Sequence, residues 1–210
     1  RVEYKDYLIR KEEQQVKFKN QSSSGAVTKM SDQQLEEGMY KIKVNQTGKY
    51  LAIEGISKDN GARLVQWDYV DQANHKFYVK KIGGGYYDIS AVHSKRYLNA
   101  AGQSKADNTA VIQWDFANQD NVKWRIYYSN QGGKPGWVIE NKNASPIQLQ
   151  SGLLTNQNGE PLILWMPKRQ DANDYEPFQT FSFEKIDELP MSETKLYEQS
   201  PGMKTKKSNR

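Results

Sequence analysis

Two stretches decide the fold of this chain: LVQWDYVDQANHKFYV (residues 64–79) and VIQWDFANQDNVKWRI (residues 111–126). They lie 47 residues apart at every aligned position. Each has an apolar run, then Gln-Trp-Asp, then an Asn-bearing loop, and then an aromatic residue that opens a second apolar run. Recurrence at a fixed period of this length indicates a repeated structural unit.

A third, looser copy follows in GKPGWVIENKNASPIQLQSG and GEPLILWMPKRQDANDYEPFQTFSFEKI. The inner tryptophans Trp67, Trp114 and Trp165 are spaced by 47 and 51 residues. The closing aromatics Phe77, Trp124 and Phe181 are spaced by 47 and 57 residues, so the last loop of the third copy is longer. We call these copies units one, two and three.

Each unit shows the period-2 alternation of short strands, and no helix is predicted between residues 38 and 186. About four short strands cannot bury a core alone, but three units around a pseudo-threefold axis can share one. The sequence therefore predicts an all-β fold, a β-trefoil of three repeats of ~45–55 residues.

The ends differ from the repeats in composition. QSSSG reads as a flexible linker, and the chain ends in a Lys-rich segment. We predict an N-terminal extension or linker over 1–35, a trefoil over 36–187 and a tail over 188–210, with both ends flexible. The chain begins with Arg, which is consistent with a mature or cut form.

Charge and composition exclude several classes of protein. The formal net charge is +5, but the basic excess sits in the two ends and leaves the repeats mildly acidic, unlike a nucleic-acid-binding face. No stretch is long and apolar enough for a membrane span. The absence of Cys excludes disulfides, thiolate catalysis and zinc ribbons.

The repeats resemble ricin-B-type lectin repeats, in particular the bacterial form with Gln-Trp-Asp followed by Asn-Gln-x-Trp, over roughly residues 36–187. In that family the closing Gln-x-Trp is structural. Here it reads His75-Lys76-Phe77, Val122-Lys123-Trp124 and Gln179-Thr180-Phe181. All three keep a large aromatic, so we expect the shared core to persist.

The resemblance implies one shallow sugar pocket per unit, with an acid after the Leu of the second strand, a stacking aromatic and a closing amide. A flat ring matches the C–H face of a sugar, and planar polar groups match its hydroxyls. Unit two has Asn99 in place of the acid, Trp114 as the aromatic and Asn121 as the amide, with Asp115 and Asn118 in the same loop. Unit two is therefore the main predicted site.

Units one and three depart further from the pattern. In unit one, Ala52 replaces the acid, although Trp67, Asp68 and Asn74 remain. In unit three we place Gln148 at the position of the acid, Trp165 as the aromatic and Phe178 as the closing residue. Unit one is predicted as a second site, and unit three as inactive.

The sequence gives little support for catalysis or metal binding. His75 and His93 are too few for a catalytic or metal site, and no carboxylate spacing indicates a glycosidase pair. We therefore expect no catalytic residues, no metal and no cofactor. The predicted function is a non-enzymatic lectin module, whose ligand is a glycan of galactose type or another type.

The tail IDELPMSETKLYEQSPG is similar to the linker that follows the trefoil head of insecticidal binary toxins. This resemblance implies a secreted, bacterial targeting module of a toxin complex or larger protein. The alternative is a trefoil with vestigial sugar sites that docks a partner toxin subunit or a cell-surface receptor. Ala52, Gln148 and Phe178 motivate that alternative, because each removes a sugar contact.

Overall fold

Short strands make up about half of the described residues, which are 33–130, 135–152, 155–166 and 180–186 of the computed structural model. Within these ranges the helices are four 3₁₀ turns of three residues: Glu54–Ile56, Ala73–His75, Ala101–Gln103 and Asp120–Val122. The strands are β1 (Gly38–Val44), β2 (Tyr50–Ile53), β3 (Leu64–Trp67), β4 (Phe77–Gly83), β5 (Tyr86–Ala91), β6 (Tyr97–Ala100), β7 (Thr109–Trp114), β8 (Lys123–Ser129), β9 (Gly136–Asn141), β10 (Gln148–Ser151), β11 (Glu160–Trp165) and β12 (Phe181–Lys185). The predicted all-β class is confirmed.

The alternation in sequence explains how the strands face the core. In β1, Tyr40, Ile42 and Val44 are buried, whereas Lys41 and Lys43 are only partly buried. Successive side chains of a strand point to opposite faces, so this pattern presents one apolar face inward. Strands β4 and β8 begin with the same alternation, whereas β9 is buried at every position.

Six strands close into a barrel. Strands β1, β4, β5, β8, β9 and β12 pair antiparallel in that circular order, since β12 also pairs with β1. Each unit contributes its first and last strand. A closed ring leaves no free strand edge among these six.

The remaining six strands form three hairpins, β2–β3, β6–β7 and β10–β11. Strand β11 pairs with both β3 and β7, and an isolated bridge joins Arg63 to Ile112. The three hairpins therefore contact one another and cap one end of the barrel, which completes the predicted β-trefoil.

The closing aromatics lie in one shared core. Phe77, Trp124 and Phe181 are 0%, 1% and 0% exposed and belong to the same buried cluster. The Nε1–H of Trp124 also donates to the Leu98 carbonyl at 3.1 Å. Replacement of Trp by Phe in units one and three thus preserves the core, as the sequence indicated.

The start of the packed region precedes β1. Leu35, within the predicted extension, is 5% exposed in the core cluster, and its carbonyl accepts a hydrogen bond from the Tyr87 hydroxyl at 3.0 Å. The predicted flexibility of 1–32 and of the tail 188–210 lies outside the described residues. None of the helices in the described ranges is long and apolar enough to cross a membrane.

Candidate functional site

Two tryptophans at strand ends are open to solvent. Trp67 ends β3 and Trp114 ends β7, and they are 41% and 44% exposed. The core residue Trp124, by contrast, is 1% exposed. An indole held at the surface offers a flat apolar face to a ligand. Trp165, which ends β11 in unit three, is partly buried.

Asn99 and Asn121 form a hydrogen-bonded pair in unit two. The Nδ2 of Asn121 donates to Oδ1 of Asn99 at 3.0 Å and to the Ala100 carbonyl at 3.2 Å. The two residues are 7% and 3% exposed, and Oδ1 of Asn121 is buried without a hydrogen-bond partner. The structure thus joins two predicted site residues beneath the surface and leaves one acceptor unsatisfied.

Strand register places this pair beside Trp114. In the β6–β7 hairpin, Tyr97 lies opposite Trp114 and Asn99 lies opposite Ile112. Asn99 and Trp114 are therefore diagonal neighbours on one face, a spacing of about 7–8 Å in an antiparallel pair. Leu98, between the outward residues, points into the core.

Asp115 is engaged by residues of both unit one and unit two. Its Oδ2 accepts from Nδ2 of Asn60 at 2.8 Å, and its Oδ1 lies 3.2 Å from Nε of Arg96. The backbone N–H of Asp115 donates to Oδ1 of Asn60 at 2.9 Å. Asp115 still exposes 65% of its side chain, and Asn118 is exposed in the loop that follows.

Unit one repeats this arrangement at Asp68. Nζ of Lys49 lies 2.6 Å from its Oδ1, and Nδ2 of Asn158 donates to its Oδ2 at 2.9 Å. The hydrogen bond from Lys49, and then that from Asn158, hold the pKa of Asp68 below its usual value.

The amide position of unit one has lost its partner. Asn74 is 5% exposed and donates from Nδ2 to the Ile53 carbonyl at 3.0 Å, while its Oδ1 is buried without a partner. Ala52 stands where unit two has Asn99, so the amide–amide bond of unit two has no counterpart here. Unit one keeps its exposed ring but has fewer polar groups.

An aromatic pair beside each exposed tryptophan was missed by the sequence analysis. Tyr97 and Phe116 have ring centroids 4.9 Å apart, and Tyr50 and Tyr69 have centroids 5.0 Å apart. Tyr97 pairs across the hairpin with Trp114, and Tyr50 pairs with Trp67. The available signal was an aromatic residue two positions after each tryptophan.

The glutamines of the Gln-Trp-Asp motifs are structural. Gln113 is fully buried, and its Nε2 donates to the carbonyls of Ser57 and Asp59 at 2.9 and 2.8 Å. Gln66 does the same for the carbonyls of Thr155 and Gln157, at 2.9 and 3.2 Å. Each motif thereby binds a loop of another unit.

The two histidines are held by packing. Burial lowers the pKa of both His75 and His93, which favours the neutral ring. Nε2 of His93 lies 2.7 Å from the Ser57 carbonyl, a contact between units. Among the described residues, no group of three or more His, Cys, Asp and Glu is placed to hold a metal ion.

A model of the ricin-type β-trefoil lectin domain-like family matches residues 27–114 and, in a second match, residues 73–165. Together the matches span about two thirds of the chain. The chain belongs to this family. Each match takes in roughly two units, so the overlap reflects the internal repeat. A comparison with curated protein sequences finds no match.

Solved structures of similar fold include single domains and large proteins. The designed threefold-symmetric protein ThreeFoil is 23% identical with a TM-score of 0.64, over 71% of this chain and 99% of that one. A Polyporus squamosus lectin, solved with the epitope Neu5Aca2-6Galb1-4GlcNAc, is 20% identical with a TM-score of 0.58, over 73% of this chain and 50% of that one. A mosquitocidal holotoxin is 14% identical with a TM-score of 0.61, over 73% of this chain and 18% of that one. Likeness at these identities establishes the fold.

In unit three of this ricin-type domain the structure corrects one position. We placed Gln148 at the position of the acid, but Gln148 lies opposite Trp165, as Tyr97 lies opposite Trp114. Gln150, opposite Ile163, is the counterpart of Asn99. The sequence held the signal for Gln150, since it follows a Leu and lies 15 residues before Trp165, as Asn99 follows a Leu and lies 15 residues before Trp114. Phe178 lies outside the described residues.

Proposed function

We propose that this ricin-type domain binds carbohydrate without catalysis and that its main site is in unit two. The observation that carries the proposal is the 44% exposed ring of Trp114 beside the Asn99–Asn121 pair. A pyranose stacks its C–H face on such a ring and turns its hydroxyls toward nearby polar groups.

The polar rim of the unit-two site has an exposed part and a buried part. Asp115 and Asn118 are open to solvent, whereas Asn99 and Asn121 are 7% and 3% exposed and are hydrogen-bonded to each other. Asn99 replaces a charged acceptor, and hydrogen bonds to neutral acceptors are about half as strong. We therefore expect weak binding, about millimolar for a monosaccharide.

Unit one is the second proposed site. Trp67 supplies the ring, and Asp68 and Asn74 the polar groups. Its single amide is buried and bonded to the backbone, so we rank it below unit two. Two weak sites on one chain gain affinity for a multivalent glycan that reaches both.

The biological setting is also a proposal. We propose that the chain is a secreted targeting module of a toxin complex or of another larger protein. The likeness to the holotoxin, of which this chain matches 18%, supports this setting, as does the similarity of the tail to a toxin linker. Glycans, a partner toxin subunit and a cell-surface receptor are the partners to test.

A glycan array tests the function directly, with the wild type compared with Trp114→Ala and Trp67→Ala. We expect a defined set of glycans bound by the wild type and a loss of roughly tenfold or more in affinity for Trp114→Ala, because the stacking surface is gone. Trp67→Ala is the matched control and should retain the unit-two glycans.

Two results would contradict this proposal. Glycan binding that survives Trp114→Ala but not Trp67→Ala would move the site to unit one. An array without hits at high protein density would favour the alternative, a trefoil with vestigial sugar sites that docks a protein. The burial of Asn74, Asn99 and Asn121 is the observation that favours that alternative.

A further inference from the structure

Each inner tryptophan is flanked by hydrogen bonds from a loop of a different unit. We call these the bracket loops, residues 57–61, 104–108 and 155–159. Each bracket loop makes two such hydrogen bonds. In the first, a backbone N–H of the loop donates to the carbonyl of the residue before the tryptophan. The three distances are 2.9 Å each: Gly61 to Gln113, Asn108 to Leu164, and Gly159 to Gln66.

A second bond holds the residue after the tryptophan. Its backbone N–H donates to a side-chain oxygen of the same bracket loop, with these pairs: Asp115 to Asn60 at 2.9 Å, Met166 to Asp107 at 2.6 Å, and Asp68 to Asn158 at 2.9 Å. The loop of unit one thus holds Trp114, the loop of unit two holds Trp165, and the loop of unit three holds Trp67. The connections run in a closed circle.

The residue types match what each bracket must do. Asn60 and Asn158 face the carboxylates Asp115 and Asp68, and an amide can accept from the backbone while donating to the acid. Asp107 faces Met166, where only an acceptor is needed. The chain therefore places Asn opposite Asp twice and Asp opposite a residue without charge.

In unit two, Arg96 also takes part in the contacts between the bracket loop and Asp115. Nε of Arg96 donates to Oδ1 of Asn60 at 2.6 Å and lies 3.2 Å from Oδ1 of Asp115, so these three residues form one network. Gly61 follows Asn60 with a φ of +89°, and a Cβ at Gly61 would stand 3.8 Å from Cζ3 of Trp114. The backbone of the bracket loop therefore lies against the ring.

We infer that Asn60 of unit one is a positioning residue for carbohydrate binding by unit two, so that the unit-two site is built from two units. This inference rests on the proposed function. Asn60 fixes the backbone after Trp114 and donates a hydrogen bond to the carboxylate of Asp115, and it thereby sets the direction of the exposed ring. Asn158 has the corresponding role for Trp67 in unit one.

The test uses the full chain labelled with 5-fluorotryptophan, so that each of the five tryptophans gives a ¹⁹F resonance, assigned by Trp→Phe variants. Asn60→Asp places two carboxylates face to face. We expect it to move the Trp114 resonance and to weaken binding of the best array glycan roughly tenfold, the factor for about one lost hydrogen bond.

The matched control is Asn158→Asp, the same change in the other bracket. It should move the Trp67 resonance and leave the Trp114 resonance and the unit-two glycan affinity unchanged. The double variant Asn60→Asp with Asp115→Asn should restore the Trp114 resonance, and its glycan affinity should match that of Asp115→Asn alone. The reason is that the carboxylate introduced at position 60 can accept a hydrogen bond from the amide introduced at position 115. Asn60→Ala, which removes both bonds without repulsion, replaces Asn60→Asp should the latter not fold.

The outcomes separate the two claims. If Trp114→Ala abolishes glycan binding while Asn60→Asp and Asn60→Ala bind as the wild type does, only the positioning role of Asn60 is overturned. An unmoved Trp114 resonance in these variants overturns it as well. A wild type that binds no glycan overturns the proposed function and the sugar role of Asn60 with it, while the resonances still report whether Asn60 orients the ring.

Discussion

Asp88 is a carboxylic acid whose environment disfavours its charge. Burial raises the pKa of Asp88 to about 6, and Lys80 and Lys123 oppose this shift only in part. These two lysines are its neighbours in the strands on either side, β4 and β8. Its Oδ1 is buried without a hydrogen-bond partner, which accounts for the incomplete compensation.

Replacement of Asp88 by Asn should remove the contribution of this acid to the pH dependence of stability. Between about pH 4 and 6 the folded wild type holds a proton that the unfolded chain has lost, so its stability falls as pH rises through this window. We expect Asp88→Asn to exceed the wild type in unfolding free energy by on the order of 1 kcal/mol at pH 7.5, with solvent screening of the half-buried group included. Below pH 4 the difference should vanish.

Urea unfolding of both proteins from pH 3.5 to 8 measures this difference. Parallel profiles over the whole range would show that Asp88 has the same pKa in the folded and unfolded chains. The exposed acids with lowered pKa, such as Asp68 and Asp120, occur in both proteins and cancel in the comparison.

At the scale of elements, the hairpins depend on glutamines that point away from solvent. In β7, Oε1 of Gln113 accepts from the Ser94 hydroxyl at 2.7 Å while its amide holds two carbonyls of the bracket loop 57–61. In β11 the corresponding residue is Leu164. There the Thr109 hydroxyl donates to the Ala106 carbonyl at 2.6 Å, so a different side chain satisfies that bracket loop.

Gln113→Leu should therefore destabilise the protein, although leucine is native at the same position of unit three. It removes the amide donor of the Asp59 carbonyl and leaves the Ser57 carbonyl with the His93 contact alone, and a buried polar group without a partner costs about 1–3 kcal/mol. Gln66→Leu should cost a similar amount, since Gln66 holds the third bracket loop. Equilibrium denaturation with urea measures both, and a variant as stable as the wild type would show that water replaces the amide.

At the scale of the whole molecule, pairing of strands from different units closes the barrel and holds the units together. In unit one, β1 and β4 pair with each other, and their other neighbours in the barrel, β12 and β5, belong to other units. The bracket loops add a second circle of contacts at the capped end. A unit without its neighbours keeps only local hairpins, which are marginal in water.

A chain of residues 33–84, which contains unit one, should therefore be unfolded as a monomer. We expect circular dichroism and amide proton shifts typical of a disordered chain, whereas the full chain unfolds in one cooperative transition. Sedimentation controls for assembly of three copies, which would restore the barrel. A folded monomeric fragment would contradict the shared-core account.

The sequence by itself determined the fold, because its signals are local. Strand alternation is a property of each strand, and the 47-residue period and the recurring aromatics repeat one local pattern along the chain; together they predicted the trefoil and its three buried closing aromatics. The resemblance of the repeats to ricin-B-type lectins also implied Asn99, Trp114 and Asn121 as site residues, and the structure brings them to one face of unit two. Their role in sugar binding stays a prediction.

Only the tertiary structure decided which units complete each site. Asn60 and Asp115 are 55 positions apart, and Asp68 and Asn158 are 90 apart. Such pairs are formed by the threefold arrangement of hairpins, and no periodicity along one strand reports them.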